Sequence, residues 1–132
     1  MNTAIGRMIL ALCAALWVGA AAAAAPLSEA QKIQALIHSV ETLQGAKFIR
    51  NGVSYDAPAA ADHLRMKLRH AGARIASADD FITYVASGSS MSGQPYRIQF
   101  ADGRSVTAQE YFRGELKRLQ GSAPSPPAAT RK

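Results

Sequence analysis

AKFIRNGVSY, Ala46 to Tyr55, decides between an all-helical chain and a mixed one. Phe48 and Ile49 give a short apolar run, and Asn51-Gly52 supplies the pair that tolerates the left-handed backbone of a tight hairpin turn. The segment therefore predicts a strand, a turn and a returning extended stretch. On either side of it the period changes to that of a helix. Upstream, LSEAQKIQALIHSVETLQG places Ile33, Leu36, Ile37 and Val40 at i, i+3, i+4 and i+7, so one face is apolar. Ser28 with Gln31 forms a capping-box pattern, and Gly45 marks the expected stop. Downstream, Asp56 is placed to cap a second helix, with Pro58 in its first turn, where a missing amide hydrogen costs nothing. Ala60, Leu64, Leu68 and Ala71 make its expected apolar face, closed by Gly72.

The rest of the chain repeats these two themes. A third, shorter helix is expected after Ser77, anchored by Phe81, Ile82 and Val85. Asp79 and Asp80 suit its positive N-terminal end. YRIQF alternates as a half-buried strand should, and Asp102-Gly103 turns it back into Arg104-Ser105-Val106. Thr107 with Glu110 opens a last helix that buries Ala108, Phe112, Leu116 and Leu119, and Gly121 ends it. The expected fold is α+β: about four helices packed on a small antiparallel sheet in one compact domain, residues 26–121.

The two ends read differently. Arg7 precedes MILALCAALWVGA and a run of alanines, and Ala22-x-Ala24 or Ala23-x-Ala25 fits a signal cleavage site. About half of residues 8–25 is alanine, poorer in Leu, Ile and Val than a membrane span. Residues 1–25 are thus expected to be a signal peptide, the protein periplasmic, and no stable membrane anchor to remain after cleavage. Cys13 follows Leu12 rather than a small residue, which argues against lipidation. Once the leader is removed no cysteine is left, so disulfides, thiol nucleophiles and cysteine metal sites are excluded. SAPSPPAATRK, residues 122–132, has the composition of a disordered tail.

Fifteen basic residues stand against nine acidic ones. The charges are interspersed apart from RMKLRH and the terminal RK, and no stacking aromatics gather beside them. Nucleic acid is therefore not an expected partner. A soluble basic surface is the plainer reading, with an anionic ligand or surface behind it.

Three segments carry candidate chemistry. GSSMSG, Gly88 to Gly93, matches the glycine spacing of a phosphate-binding loop. Gln94 and Pro95 then stand where lysine and a hydroxyl residue are required, and the loop runs from helix to strand instead of strand to helix. G-x-S-x-G and S-x-x-K are both absent. An anion-binding concavity of backbone amides, or simple turn bracing by serine hydroxyls, remains. In the second helix His63, Lys67 and His70 share a stripe about 60° wide at helical spacing. Lys67 between the histidines would repel a cation, so no metal and no other cofactor is expected. Asp62 is placed to pair with Arg65 or Arg69. Arg50, beside the Asn-Gly turn, is expected to pair with Asp56 or another acid of the fold, with capture of a ligand carboxylate as the alternative.

FIRNG, HLRMKL and SSMSGQPY, in this order and spacing, resemble the YfeK-like family of small exported bacterial proteins, a domain of unknown function. The likeness runs from about Ile33 to Leu119. It implies export and supplies no activity, catalytic residue or cofactor. Gly88 stands where the resemblance leads one to expect serine, and a looser loop is the expectation. The resemblance does imply that the three segments belong together. Arg50, Asn51, His63, Lys67, Ser89, Ser90, Ser92 and Tyr96 are therefore expected to meet on one surface. The functional expectation is a non-catalytic binding or interaction module that meets an anionic ligand or a periplasmic protein partner. The alternatives are a hydrolase or transferase using a loop serine with His63 or His70, and a set of motifs that only hold the fold.

Overall fold

The structure, a computed structural model, describes residues 25–121. Nearly all of the expected leader and the whole expected tail lie outside the described residues. Within them the chain folds as α1 (Glu29–Glu41), β1 (Lys47–Arg50), β2 (Val53–Tyr55), α2 (Ala57–Ala71), α3 (Ala78–Asp80), β3 (Arg97–Gln99), β4 (Ser105–Thr107) and α4 (Ala108–Gly121). The fold is α+β, with an antiparallel sheet in the order β2-β1-β3-β4. No helix among the described residues is long and apolar enough to cross a membrane.

Alternation and register together build the sheet's inner face. Phe48 pairs with Tyr55 on one side and Ile98 on the other, and Ile98 pairs with Val106. One row of apolar side chains thus crosses all four strands and meets the helices. Side chains two apart share a face, so Arg50 points to the same side as Phe48, and Tyr96 to the same side as Ile98. The Asn51-Gly52 turn forms as the dipeptide predicts, both residues at positive φ, 49° and 78°. The second hairpin is longer than a two-residue turn. Phe100 and Arg104 pair around Ala101, Asp102 and Gly103, with Gly103 at φ 88°.

Both capping boxes close: Ser28 with Gln31 at α1, and Thr107 with Glu110 at α4. Asp56 caps α2 through the Ala59 amide. Two helix details differ from the sequence reading. Helix α1 ends at Glu41 with Thr42 as its cap, and Gly45 (φ 69°) lies in the turn beyond. A Cβ on Gly45 would sit 3.0 Å from Ala101 Cβ, so the glycine permits contact with the β3–β4 hairpin. The packed face of α2 is rotated toward Ala57 and Ala61, which are buried with Leu64; Ala60, Leu68 and Ala71 are half-buried. Asp62 does pair with Arg65, whose guanidinium also holds Glu41 at 2.7 Å and so ties α2 to the end of α1.

The third helix is short. After Asp80 the backbone widens into a π-helical segment, Phe81–Ala86. The wider turn brings two adjacent pairs, Phe81 with Ile82 and Val85 with Ala86, into the core together. The Ser87 hydroxyl donates to the Ile82 carbonyl at its end. Phe112 of α4 meets Phe81 edge to face at 5.9 Å.

Candidate functional site

The serine loop leaves the π segment and is closed by backbone bonds before β3 begins. Gly88 and Pro95 form an antiparallel bridge. The Ser89 amide donates to Gln94 O at 3.0 Å, and the Tyr96 amide to Ser87 O at 3.0 Å. The Tyr96 carbonyl accepts from the Ala108 amide at 2.8 Å, which fixes this tyrosine between the loop and α4.

Gly88 tightens this loop, contrary to the looser junction expected from the sequence. A Cβ there would lie 2.8 Å from Gln94 O, so only glycine admits the close approach.

Four of the eight expected residues form one cluster. Register aims Arg50 at α2, where its Nη1 lies 3.1 Å from Nδ1 and 3.0 Å from Nε2 of His63. With both ring nitrogens almost equally near, the guanidinium nitrogen lies over the ring rather than along a lone pair, so neither contact is a well-aligned hydrogen bond. Arg50 also lies over the Tyr55 ring, 5.5 Å from its centre. His63 Nε2 is 3.2 Å from the Tyr96 hydroxyl, and that hydroxyl accepts from Lys67 Nζ at 3.1 Å. Lys67 donates again to Gly88 O at 2.7 Å and so holds α2 against the loop.

Three more residues form a neighbouring set. The Ser92 hydroxyl donates to Asn51 Oδ1 at 2.6 Å, and Asn51 Nδ2 lies 3.5 Å from Ser89 Oγ. Buried Ser89 also accepts from the Met91 and Ser92 amides, both at 3.3 Å. Asn51, Ser89 and Ser92 therefore lock the β1–β2 turn onto the serine loop. Ser90 is exposed on the far side of Lys67, in a groove that also includes His70 and Tyr84. The three segments meet, with Ser90 and His70 at the edge of the meeting place.

The expected pairing of Arg50 with Asp56 or another acid is not found. Neither Arg50 nor Lys67 forms an ion pair among the described residues. Asp56 is turned to its own helix instead, accepting from the Ala59 amide. Arg50 carries only donors and a fixed charge, so a protonated His63 would set charge against charge at 3.0 Å. The electrostatics agree. Burial, then the charges of Arg50 and Lys67, hold His63 below the usual imidazole range. Burial and Arg50 push the Lys67 ammonium down, and burial pushes the Tyr96 phenol up. The cluster is cationic at both ends and neutral in the middle.

No serine hydroxyl among the described residues is hydrogen-bonded to His63 or His70. Among the described residues no carboxylate orients His63; cations flank it. That is the reverse of the arrangement that activates a nucleophile.

Sequence reasoning missed two parts of the site. Tyr55 under Arg50 is visible only once the hairpin register is known. The Gly88 carbonyl is a backbone acceptor and leaves no mark in residue type.

A model of a family of unknown function, DUF5329, matches residues 27–120. The chain is 38% identical over 68 residues to the "Uncharacterized protein YfeK" of Salmonella typhimurium (strain LT2), a match covering 52% of this chain and 57% of that protein. The chain thus spans little more than half the length of this curated relative. No solved structure matches it. With the match running from before α1 to the last turn of α4, the chain belongs to the DUF5329 family of unknown function.

Proposed function

We propose that this protein is a non-catalytic binding module that recognises an anionic group at the Arg50–His63–Lys67–Tyr96 cluster. One observation carries the reading: a half-buried guanidinium and a half-buried ammonium flank a neutral imidazole, with no carboxylate paired to either cation among the described residues. Partly burying two cations without a counter-charge is costly, and an incoming anion would offset that cost. Arg50 uses only Nη1 among the described residues, so Nη2 and Nε can hold a carboxylate with two parallel bonds. Asn51, Ser89 and Ser92 brace the loop against the turn, and Ser90 stands at the rim.

The imidazole makes binding proton-linked. A bound anion stabilises His63 in its charged form, so its pKa is higher in the complex than in the free protein. Between those two values binding takes up a proton, and affinity rises as pH falls. Arg50, Lys67 and Tyr96 are the charged or titratable groups set around this ring, with Tyr55 behind Arg50.

Acetate at constant ionic strength, followed by amide NMR, tests the reading. Shifts are expected at Arg50, Gly88 and Tyr96, tightening several-fold from pH 7.5 to 6 and lost in Arg50→Gln. Arg50→Gln should keep its melting temperature within about 3 °C, since it removes no paired charge. Loss of stability in Arg50→Gln and Lys67→Met, with no acetate shifts in the parent protein, would instead mean that the motifs only hold the fold.

We place this activity in the periplasm, supported by the leader pattern of residues 8–25. Release of a shortened chain by osmotic shock is the expected result; a full-length chain retained in the cytoplasm would contradict it.

A further inference from the structure

An apolar cavity of about 210 Å³ opens beside the cationic cluster, between α2 and the inner face of the sheet. Its wall includes Val40, Phe48, Leu64 and Phe112, and its rim carries Arg50, Tyr55, His63 and Tyr96. The space exists because four facing positions are alanine: Ala59 and Ala60 on α2, Ala86 at the end of the π segment and Ala108 at the start of α4. Larger apolar side chains there would fill the space and gain burial, so the alanines forgo stability to keep it open. An apolar cavity of about 150 Å³ accepts benzene, so this one has room for an aryl ring or a short alkyl chain.

Cavity and cluster share Arg50, His63 and Tyr96, so a single molecule can reach both. We propose that the ligand is a small amphipathic carboxylate, its apolar part inside the alanine-lined cavity and its carboxylate on Arg50 at the rim. This rests on the anion-binding reading above and adds the substrate class to it. The geometry disfavours two other classes. A cation would meet Arg50 and Lys67 with no acid among the described residues to offset them. A large hydrophilic anion would leave the apolar wall unused. The same head and tail occur in a free organic acid and in a peptide chain end with an aromatic last residue.

The probes are phenylacetate, acetate, 2-phenylacetamide and 2-phenylethylamine, with N-acetylphenylalanine as the chain-end form. They are titrated by amide NMR against the full-length mature chain. Phenylacetate is expected to bind at least about tenfold tighter than acetate, the increment of burying one apolar group of this size. The amide and the amine should bind at least about tenfold more weakly than phenylacetate, having lost the charge-assisted pair. Ala60→Leu fills the cavity and should reduce phenylacetate to the acetate level. Ala59→Leu, at an exposed position of the lining, should weaken phenylacetate in the same direction should Ala60→Leu fail to fold. Tighter binding of N-acetylphenylalanine than phenylacetate assigns the ligand to chain ends, and the opposite order assigns it to free acids; both uphold the amphipathic carboxylate. Equal binding of acetate and phenylacetate, unchanged by either alanine variant, would overturn the cavity assignment and leave the anion site standing. No shift with any anion would overturn both.

Discussion

Phe112→Ala is expected to lower the stability of this domain by about 3–5 kcal/mol, at the upper end of large-to-small core substitutions. Phe112 is 1% exposed. It meets Phe81 at 5.9 Å and Tyr111 at 5.3 Å, each edge to face, so truncation removes two aromatic contacts along with the buried area. Its ring is also part of the cavity wall. The void left by truncation therefore joins an existing one, and the merged space lacks a near wall to collapse onto it. Domains of this size have a total stability of about 5–15 kcal/mol, so a large share would be gone. Urea unfolding measures it as a lower midpoint at unchanged slope. A loss below about 1 kcal/mol would mean that Phe112 is not a wall between core and cavity.

The aromatic core was legible because burial is written in period. Ile33, Leu36, Ile37 and Val40 repeat at helical spacing, and Tyr96, Ile98 and Phe100 alternate; both sets point inward as their period requires. Caps and turns were equally plain, since Ser28, Asp56 and Thr107 do their work within three residues, and Asn51-Gly52 within two. Residue types at short range determine such features.

What was not legible depended on distance along the chain or on the absence of a side chain. The π-helical widening at Phe81–Ala86 has no marker residue. Glu29 pairs with Lys32 within its own helix, yet its Oε2 also accepts the Ala78 amide at 2.7 Å and caps α3 from 49 residues away. The convergence of Arg50, His63, Lys67 and Tyr96 was suggested by the three motifs together. The missing carboxylate at Arg50 was not: Asp56 carried two expectations at once, a cap for α2 and a partner for Arg50, and only the structure shows the cap taking it. The cavity was hidden for a simpler reason. Ala60 and Ala108 read as ordinary members of apolar helix faces, Ala59 and Ala86 carry no pattern, and only their meeting in space turns small size into volume.

Gly88→Ser provides the sharpest test of how loop and cluster are joined. The new Cβ would lie 2.8 Å from Gln94 O, 3.4 Å from Gln94 C and 3.5 Å from Pro95 Cα, all backbone atoms on the opposite arm of the bridge. A flexible side chain could swing away; a backbone arm can yield only by opening the bridge. Overpacking of this kind costs about 1–3 kcal/mol. Gly88→Ala carries the same Cβ and should cost the same, which separates steric conflict from any effect of the hydroxyl. Opening the bridge also moves the Gly88 carbonyl, the closest acceptor of the Lys67 ammonium at 2.7 Å. Lys67 then returns toward water, and one of the charges that depress His63 moves off. The His63 titration, followed by imidazole NMR, should therefore shift upward toward the ordinary range in Gly88→Ser. Stability lost together with an upward shift identifies Gly88 as the joint between loop and cluster. A melting temperature equal to the parent's in both variants would show instead that the loop is slack enough to absorb a side chain.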